Sequence, residues 1–195
     1  MRYSELNKLR KKLFFTSFDL RDILGITLAS AQVLCSRYVK KGFFVRLKRN
    51  FYVLDSVWEN SSKEDMFKIA NFLQVPSYVS FMSALSFYEV STQVQRGFYE
   101  NTSLKRSASF DCRGIRFNFY KLKPEYYFGF EKTGDIFIAR KEKAFVDAVY
   151  LYSFGKYKLD FDSLNLDVLD KRKLSEISGI FPEKTRNLVG RLCGI

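Results

Sequence analysis

Apolar positions recur at helical spacing through the first 41 residues, interrupted by a glycine. Over residues 4–14, Leu6, Leu9 and Leu13 fall at i, i+3 and i+7. Ser4 is placed to cap this segment and Lys8, Arg10, Lys11 and Lys12 lie on its polar side, which predicts a helix. FFTSF, residues 14–18, reads as a short β-like element leading to Asp19, a predicted N-cap for DLRDILG, and Gly25 ends that helix. A longer helix is predicted from Thr27 or Leu28 to Lys41, stopped by Gly42. Ala31, Leu34, Cys35 and Tyr38 form its buried stripe, while Ser30, Val33, Arg37 and Lys40 project from the other side. FFVRLKR and FYVL then alternate as a hairpin around Arg49–Asn50, where asparagine tolerates the left-handed conformation such a turn needs.

Downstream the pattern changes. Residues 55–63, DSVWENSSK, read as a linker in which Trp58 packs against something. Helices are predicted over 63–73 and 79–89, separated by QVPS. From 95 to 139, FYENTS, GIRFNFYKL and DIFIA are rich in aromatic and β-branched residues and predict strands. Residues 140–153 are strongly helical, and DSLNLDVLD and the 170–192 region read as closing helices. There is no internal repeat and no low-complexity tract. The predicted fold class is α+β: an N-terminal winged helix-turn-helix over 1–58, followed by a mixed α/β C-terminal domain over 63–195.

The N-terminal assignment rests on order. Residues 19–54 give a short helix, a turn, a second helix and a basic ribbon, the arrangement in which one helix enters the major groove and the ribbon follows the phosphates. Charge strengthens it. The chain carries a formal net charge of +12, and residues 1–60 hold 12 of its Lys and Arg against 5 Asp and Glu. Per residue this segment is about three times as basic as the remainder, which favours a polyanionic partner there. Arg46, Lys48 and Arg49 would neutralise phosphates, which gives affinity without sequence information. Base reading would fall to Thr27, Ser30 and Gln32, with Arg37 reaching guanine or phosphate and Lys40 and Lys41 completing the basic end of the helix. A solvated surface helix is the plainer account of the same residues.

Little else in the chain carries chemistry. It has no histidine, so a Ser–His or Cys–His nucleophile pair is excluded. Cys35, Cys112 and Cys193 are scattered and read as small buried apolar residues rather than metal ligands, and neither metal nor cofactor is expected. Asp160-Phe161-Asp162 mimics the paired carboxylates of a nucleotidyltransferase, but the nearest upstream glycine, Gly155, lies only five residues away and is followed by Lys156. Asp160 or Asp162 capping a turn is the simpler reading. No Asp/Glu-x-Lys triplet, Walker loop or dinucleotide fingerprint occurs, so no catalysis is expected. Tyr120, Tyr126, Tyr127, Phe128 and Phe130 could stack bases, although aromatics at this density more often form core. No apolar run suits a signal peptide or a membrane span, so a cytoplasmic protein without a membrane partner is expected.

Three blocks in order carry a family resemblance: LGIT followed by KKGFFVRLKRNFYVL, then YVSFMSALSFYEVSTQ at 78–93, then IFIARKEKAFVDAVYL at 136–151. Over nearly its whole length the chain resembles the AbiEi-type antitoxins, which are regulators of type IV toxin–antitoxin operons. The most specific parts are Tyr78-x-Ser80-x-x-Ser83-Ala84-Leu85 and Ile138-Ala139-x-x-Glu142-Lys143-Ala144-x-x-Asp147. Two departures are visible: Arg49-Asn50 stands where the wing turn commonly has Arg-Gly, and Lys141 replaces the usual proline before Glu-Lys-Ala. The resemblance implies a winged domain that binds inverted repeats in its own promoter and represses the operon. It also implies an antitoxin domain, marked here by Ser80, Glu142, Lys143 and Asp147, that counters a nucleotidyltransferase-type toxin without a stable complex being assumed.

From the residues alone, the same block is open to a plainer account. Lys143 and Asp147 at i, i+4 can form an ordinary helix salt bridge worth roughly 0.2–0.5 kcal/mol, with Ala144, Val146, Ala148 and Leu151 facing the core. Ser80 reads first as an N-cap and Ser83 as a small packing residue. The alternative function is a plain winged-helix regulator whose second domain binds a ligand or mediates oligomerisation.

Overall fold

The computed structural model describes residues 7–93 and 96–195. The first helix, α1 (Ser17–Leu24), starts at Thr16 and not at Asp19. Thr16 Oγ1 accepts the Asp19 amide at 3.2 Å and the Asp19 carboxylate accepts the Thr16 amide at 2.7 Å, so the aspartate is the far half of a capping box. Gly25, at φ 62°, closes the helix as expected. Thr27 caps α2 (Leu28–Lys40) through the Ser30 amide, and Ala31 and Cys35 are fully buried beneath it. Of the predicted 4–14 helix, residues 4–6 lie outside the described residues and only Leu9–Lys11 form a single 3-10 turn. The chain leaves that turn extended at Lys12, whose ammonium pairs with Asp19.

Strands β1 (Phe44–Lys48) and β2 (Phe51–Leu54) form the predicted antiparallel hairpin, with a bulge between Arg46 and Lys48. Asn50 sits at its turn with φ 63°. The side-chain oxygen of Asn50 accepts the Ser17 amide at 3.0 Å and the Ser17 hydroxyl, so the turn residue is bonded to the first residue of α1. The β-like 14–18 segment contributes one bridge: Phe15 and Tyr52 exchange backbone hydrogen bonds of 2.8 and 2.9 Å.

The stretch read as a linker is built into the fold. Helix α3 (Asp55–Trp58) follows β2 directly, and Ser62 starts α4 (Lys63–Leu73) with a second capping box to Asp65. Trp58 is buried among Val45, Leu47 and Val53 of the hairpin, Met66, Ile69 and Leu73 of α4, and Phe117 and Phe119 of the large sheet. Burial of that much apolar side chain outweighs the polar composition of DSVWENSSK. Arg113 closes the same junction, pairing with Asp55 and donating to the Gly42 carbonyl at 3.3 Å.

The large sheet has the order β5-β6-β4-β3-β8-β7. It comprises β3 (Ser77–Val79), β4 (Phe98–Ser103), β5 (Ala108–Cys112), β6 (Ile115–Lys121), β7 (Phe130–Thr133) and β8 (Ile136–Ala139). β3 pairs parallel with β8 and β4 parallel with β6, and the remaining neighbours are antiparallel. Sequence periodicity missed β3 because three residues are too few to show alternation, yet it is central and buried. It shortens the predicted 79–89 helix to α5 (Phe81–Phe87). Phe81 at φ 53° turns the chain sharply between the two elements, a conformation that costs a bulky residue roughly 1–3 kcal/mol. The buried ring, against Tyr120 and Tyr157, offsets it.

Helices α6 (Lys141–Ser153), α7 (Lys171–Ser178) and α8 (Glu183–Cys193) complete the chain. DSLNLDVLD is not helical: it forms two 3-10 turns, Phe161–Ser163 and Leu166–Val168, whose amides are taken by Asp160 and Asn165. The architecture is mixed α+β, and among the described residues no helix is long and apolar enough to cross a membrane.

Candidate functional site

Helix α2 turns its polar side to solvent because its apolar stripe is spent on the N-terminal core. Ser30, Gln32, Arg37, Lys40 and Lys41 are exposed, and Gln32, Arg37 and Lys40 share a shallow surface with Val33. The Thr27 hydroxyl accepts the Ser30 amide as the cap and donates to the Ser30 hydroxyl, 2.9 Å away, so Thr27 is used at the helix start whereas Ser30 only accepts there. Arg46 and Arg49 are exposed on the hairpin.

Lys48 is placed differently. Its ammonium donates to the Phe72 and Leu73 carbonyls at 2.8 and 3.2 Å and lies 4.7 Å from the ring centroids of both Phe51 and Phe72. These carbonyls end α4 and have no partner in their own helix, so the cation caps it. Burial, with the Lys105 charge nearby, holds the Lys48 ammonium below its ordinary pKa. Of the three phosphate candidates in the ribbon, two present their charge outward and the third anchors the ribbon to α4.

The second group of predicted residues forms a buried cluster. Lys143 and Asp147 pair one turn apart on α6, and neither side chain has any solvent exposure. Asp147 Oδ2 also accepts the Tyr78 hydroxyl at 3.0 Å, the Ser80 hydroxyl at 2.8 Å and the Thr102 hydroxyl at 3.4 Å. Lys143 further donates to the Tyr78 oxygen at 3.0 Å and lies over the rings of Phe128 and Phe181. A Cβ on Gly129 would fall 3.0 Å from Lys143 Cγ, so the lysine stem is admitted by a residue without a side chain. Burial pushes the Asp147 carboxyl up and the Lys143 ammonium down, and their mutual attraction opposes both shifts. The Lys143–Asp147 pair read from i, i+4 spacing does form, but it is not an ordinary helix salt bridge: both side chains are buried, and the strand partners Tyr78 and Thr102 close over the pair. Ser80 is corrected as well, since it precedes α5 but makes no side-chain cap bond and spends its hydroxyl on Asp147.

Glu142, also buried, accepts the Asp170 amide at 3.2 Å, and Lys141 donates to the Val168 carbonyl at 2.6 Å. The start of α6 therefore holds the segment that leads into α7. Sequence reading missed Glu100, a 4% exposed carboxylate on β4. It accepts the Tyr157 hydroxyl at 2.6 Å, the Tyr120 hydroxyl at 3.3 Å and the Met82 amide at 3.2 Å, while its own amide donates to Ser83 Oγ at 2.8 Å. Burial raises the Glu100 pKa against these bonds and also drives both tyrosines upward. The only signal in sequence was an acid in the middle of an otherwise uncharged strand, FYENTS.

The aromatic run packs inward: Tyr126 stacks on Phe181 at 4.5 Å, and Tyr127 and Phe130 lie against Tyr78. Cys35, Cys112 and Cys193 are buried, and burial pushes the first two thiols up to about 11. Models of known protein families give no match to the chain, and curated proteins give no significant match.

Proposed function

We propose that the protein binds double-stranded DNA through an N-terminal winged helix-turn-helix and acts as a non-catalytic autorepressor and antitoxin, countering a nucleotidyltransferase-type toxin. The observation that carries the DNA-binding part is the single polar and basic surface of α2, with Arg37 and Lys40 outward, followed directly by a hairpin with Arg46 and Arg49 outward. Cations in that arrangement give affinity through counterion release, and the short polar side chains Ser30 and Gln32 are of the type that reads base edges. The antitoxin part rests on the sequence blocks at Tyr78–Leu85 and Ile138–Asp147. With Ser80, Glu142, Lys143 and Asp147 all buried, these blocks support that activity by bracing α6 against β3 and β4 rather than by touching a partner.

Fluorescence anisotropy with the chain's own promoter and a random duplex tests the first part. Gln32→Ala should narrow the preference between the two duplexes, whereas Arg49→Ala should weaken both alike. Equal loss on both from Gln32→Ala would put other residues in the groove. Co-expression with a neighbouring nucleotidyltransferase tests the second part: the full chain under an unrelated promoter should restore growth. No rescue would leave a DNA-binding regulator without antitoxin activity.

A further inference from the structure

A cleft of about 720 Å³ opens where the start of α5, strands β4 and β6 and the loop after α6 meet. Its size falls within the usual range for small-molecule sites, roughly 300–1,000 Å³. Glu100, 4% exposed, is the most buried of its lining residues. Tyr120 and Tyr157, both half-buried, line it beside Glu100 and spend their hydroxyl hydrogens on that carboxylate. Burial and the Glu100 charge drive both phenols upward, so they stay protonated and their oxygens are left only to accept. Glu100 Oε2 takes two donors and Oε1 only the Tyr120 hydroxyl at 3.3 Å, where an ionised carboxylate has room for about four in all. The inner end of the cleft is therefore acceptor-only. Its donors to Glu100 are all neutral, and among the described residues no lysine or arginine pairs with that carboxylate.

We propose that this cleft binds a small guanidinium compound with a carboxylate at its other end, of the arginine type, its guanidinium on Glu100 and the tyrosine oxygens and its carboxylate on Lys156 and Lys158. A planar guanidinium has only donors, so it complements an acceptor-only surface, and its charge offsets the burial of a carboxylate held by neutral groups alone. Phe98 is half-buried at the cleft and stacks on no other ring among the described residues, so its ring is available to a planar cation. The rim selects the opposite charge. Lys156 and Lys158 are exposed there, and neither pairs with an acid among the described residues. Asp160, the remaining charge on the cleft, accepts the Gln93 side-chain amide at 2.9 Å and the Asp162 amide at 3.2 Å, so its oxygens are used in holding their own loop. A bare cation would be repelled by the two lysines, and a bare anion would meet Glu100. A ligand carrying both charges, one at each end, satisfies the whole cleft. The site stands whether or not the chain binds DNA.

Isothermal titration of the full chain with L-arginine, with ligand-observed NMR beside it, should give one equivalent bound. L-citrulline, in which a neutral urea replaces the guanidinium, should bind at least about tenfold more weakly, the weight of charge-assisted hydrogen bonds. Agmatine, which lacks the carboxylate, should bind roughly twofold to fivefold more weakly than arginine, as loss of an exposed lysine–carboxylate contact gives. Lys156→Ala combined with Lys158→Ala, both at exposed positions, should bring arginine down to the level of agmatine without weakening agmatine further. Glu100→Gln should remove the preference for arginine over citrulline. If circular dichroism shows that Glu100→Gln unfolds the chain, the ligand series on the parent and on the lysine variant decides alone. The proposal is overturned by no arginine binding to the folded chain, by citrulline or agmatine binding as tightly as arginine, or by a lysine variant that still prefers arginine to agmatine. It also falls if guanosine monophosphate displaces arginine and binds more tightly, because a nucleotide would then be the occupant.

Discussion

Lys143 and Asp147 form an ion pair with no solvent exposure, closed over by the hydroxyls of Tyr78 and Ser80. A buried pair of this kind is costly to break because one charge is left without compensation, typically by about 3–5 kcal/mol. Lys143→Met should therefore destabilise the protein by about that amount in urea titrations. Adding Asp147→Asn should recover more than half of the loss: no buried charge remains, and the amide oxygen still accepts from Tyr78 and Ser80. A double variant no more stable than the single one would show that the uncompensated carboxylate is not the source of the cost.

Asn50 holds a left-handed turn position and accepts two hydrogen bonds from Ser17. Glycine suits the dihedral angle better but cannot accept those bonds. Asn50→Gly should thus lose roughly 1–2 kcal/mol by thermal or chemical unfolding, and Asn50→Ala more, since it also strains the backbone. A glycine variant as stable as the parent would remove Asn50 as the tie between hairpin and α1.

These two sites mark what the sequence could disclose. Elements with their own local signals were legible: α2 between Thr27 and Gly42, the hairpin at Asn50, α4 from Lys63 to Leu73, and α6 with its run of core residues. Lys143 and Asp147 were singled out too, but their burial was not legible. It is set by β3 and β4, whose contributing residues lie 45 to 69 positions away in the chain. Lys48 escaped for the same reason, since alternation in FVRLK places a lysine but not the helix end that receives it. The stretch around Trp58 read as a linker because its polar neighbours are local, whereas the apolar partners of Trp58, such as Phe117, are distant in the chain.

Dividing the chain at residue 60 should expose its middle core. Val45, Leu47, Val53 and Trp58 are covered by Met66, Ile69, Leu73, Phe117 and Phe119, all downstream. A fragment of residues 1–60 is expected to show no sharp thermal transition and to bind a hydrophobic dye, while the full chain unfolds in one calorimetric step. A cooperative transition in the fragment, with near-ultraviolet dichroism, would show that the N-terminal core of Leu20, Ala31, Cys35 and Phe44 suffices by itself.

Lys48 and its neighbours in the ribbon offer the sharpest test of the proposed DNA contact, because they separate charge that faces outward from charge already used. On duplex DNA each phosphate neutralised contributes about 0.9 to the slope of log affinity against log salt. Arg46→Ala and Arg49→Ala, both at exposed positions, should each reduce that slope by about one contact's worth. Lys48→Met should leave the slope unchanged, because its ammonium is bonded to the Phe72 and Leu73 carbonyls. It should instead lower stability by about 1–3 kcal/mol, through the helix-end carbonyls left without their charged donor. Measured affinities over a series of salt concentrations, beside urea titrations of the same variants, decide the matter. If Lys48→Met lowers the slope as much as the arginine variants do, its side chain leaves α4 to meet the phosphate, and the hairpin is not fixed as described.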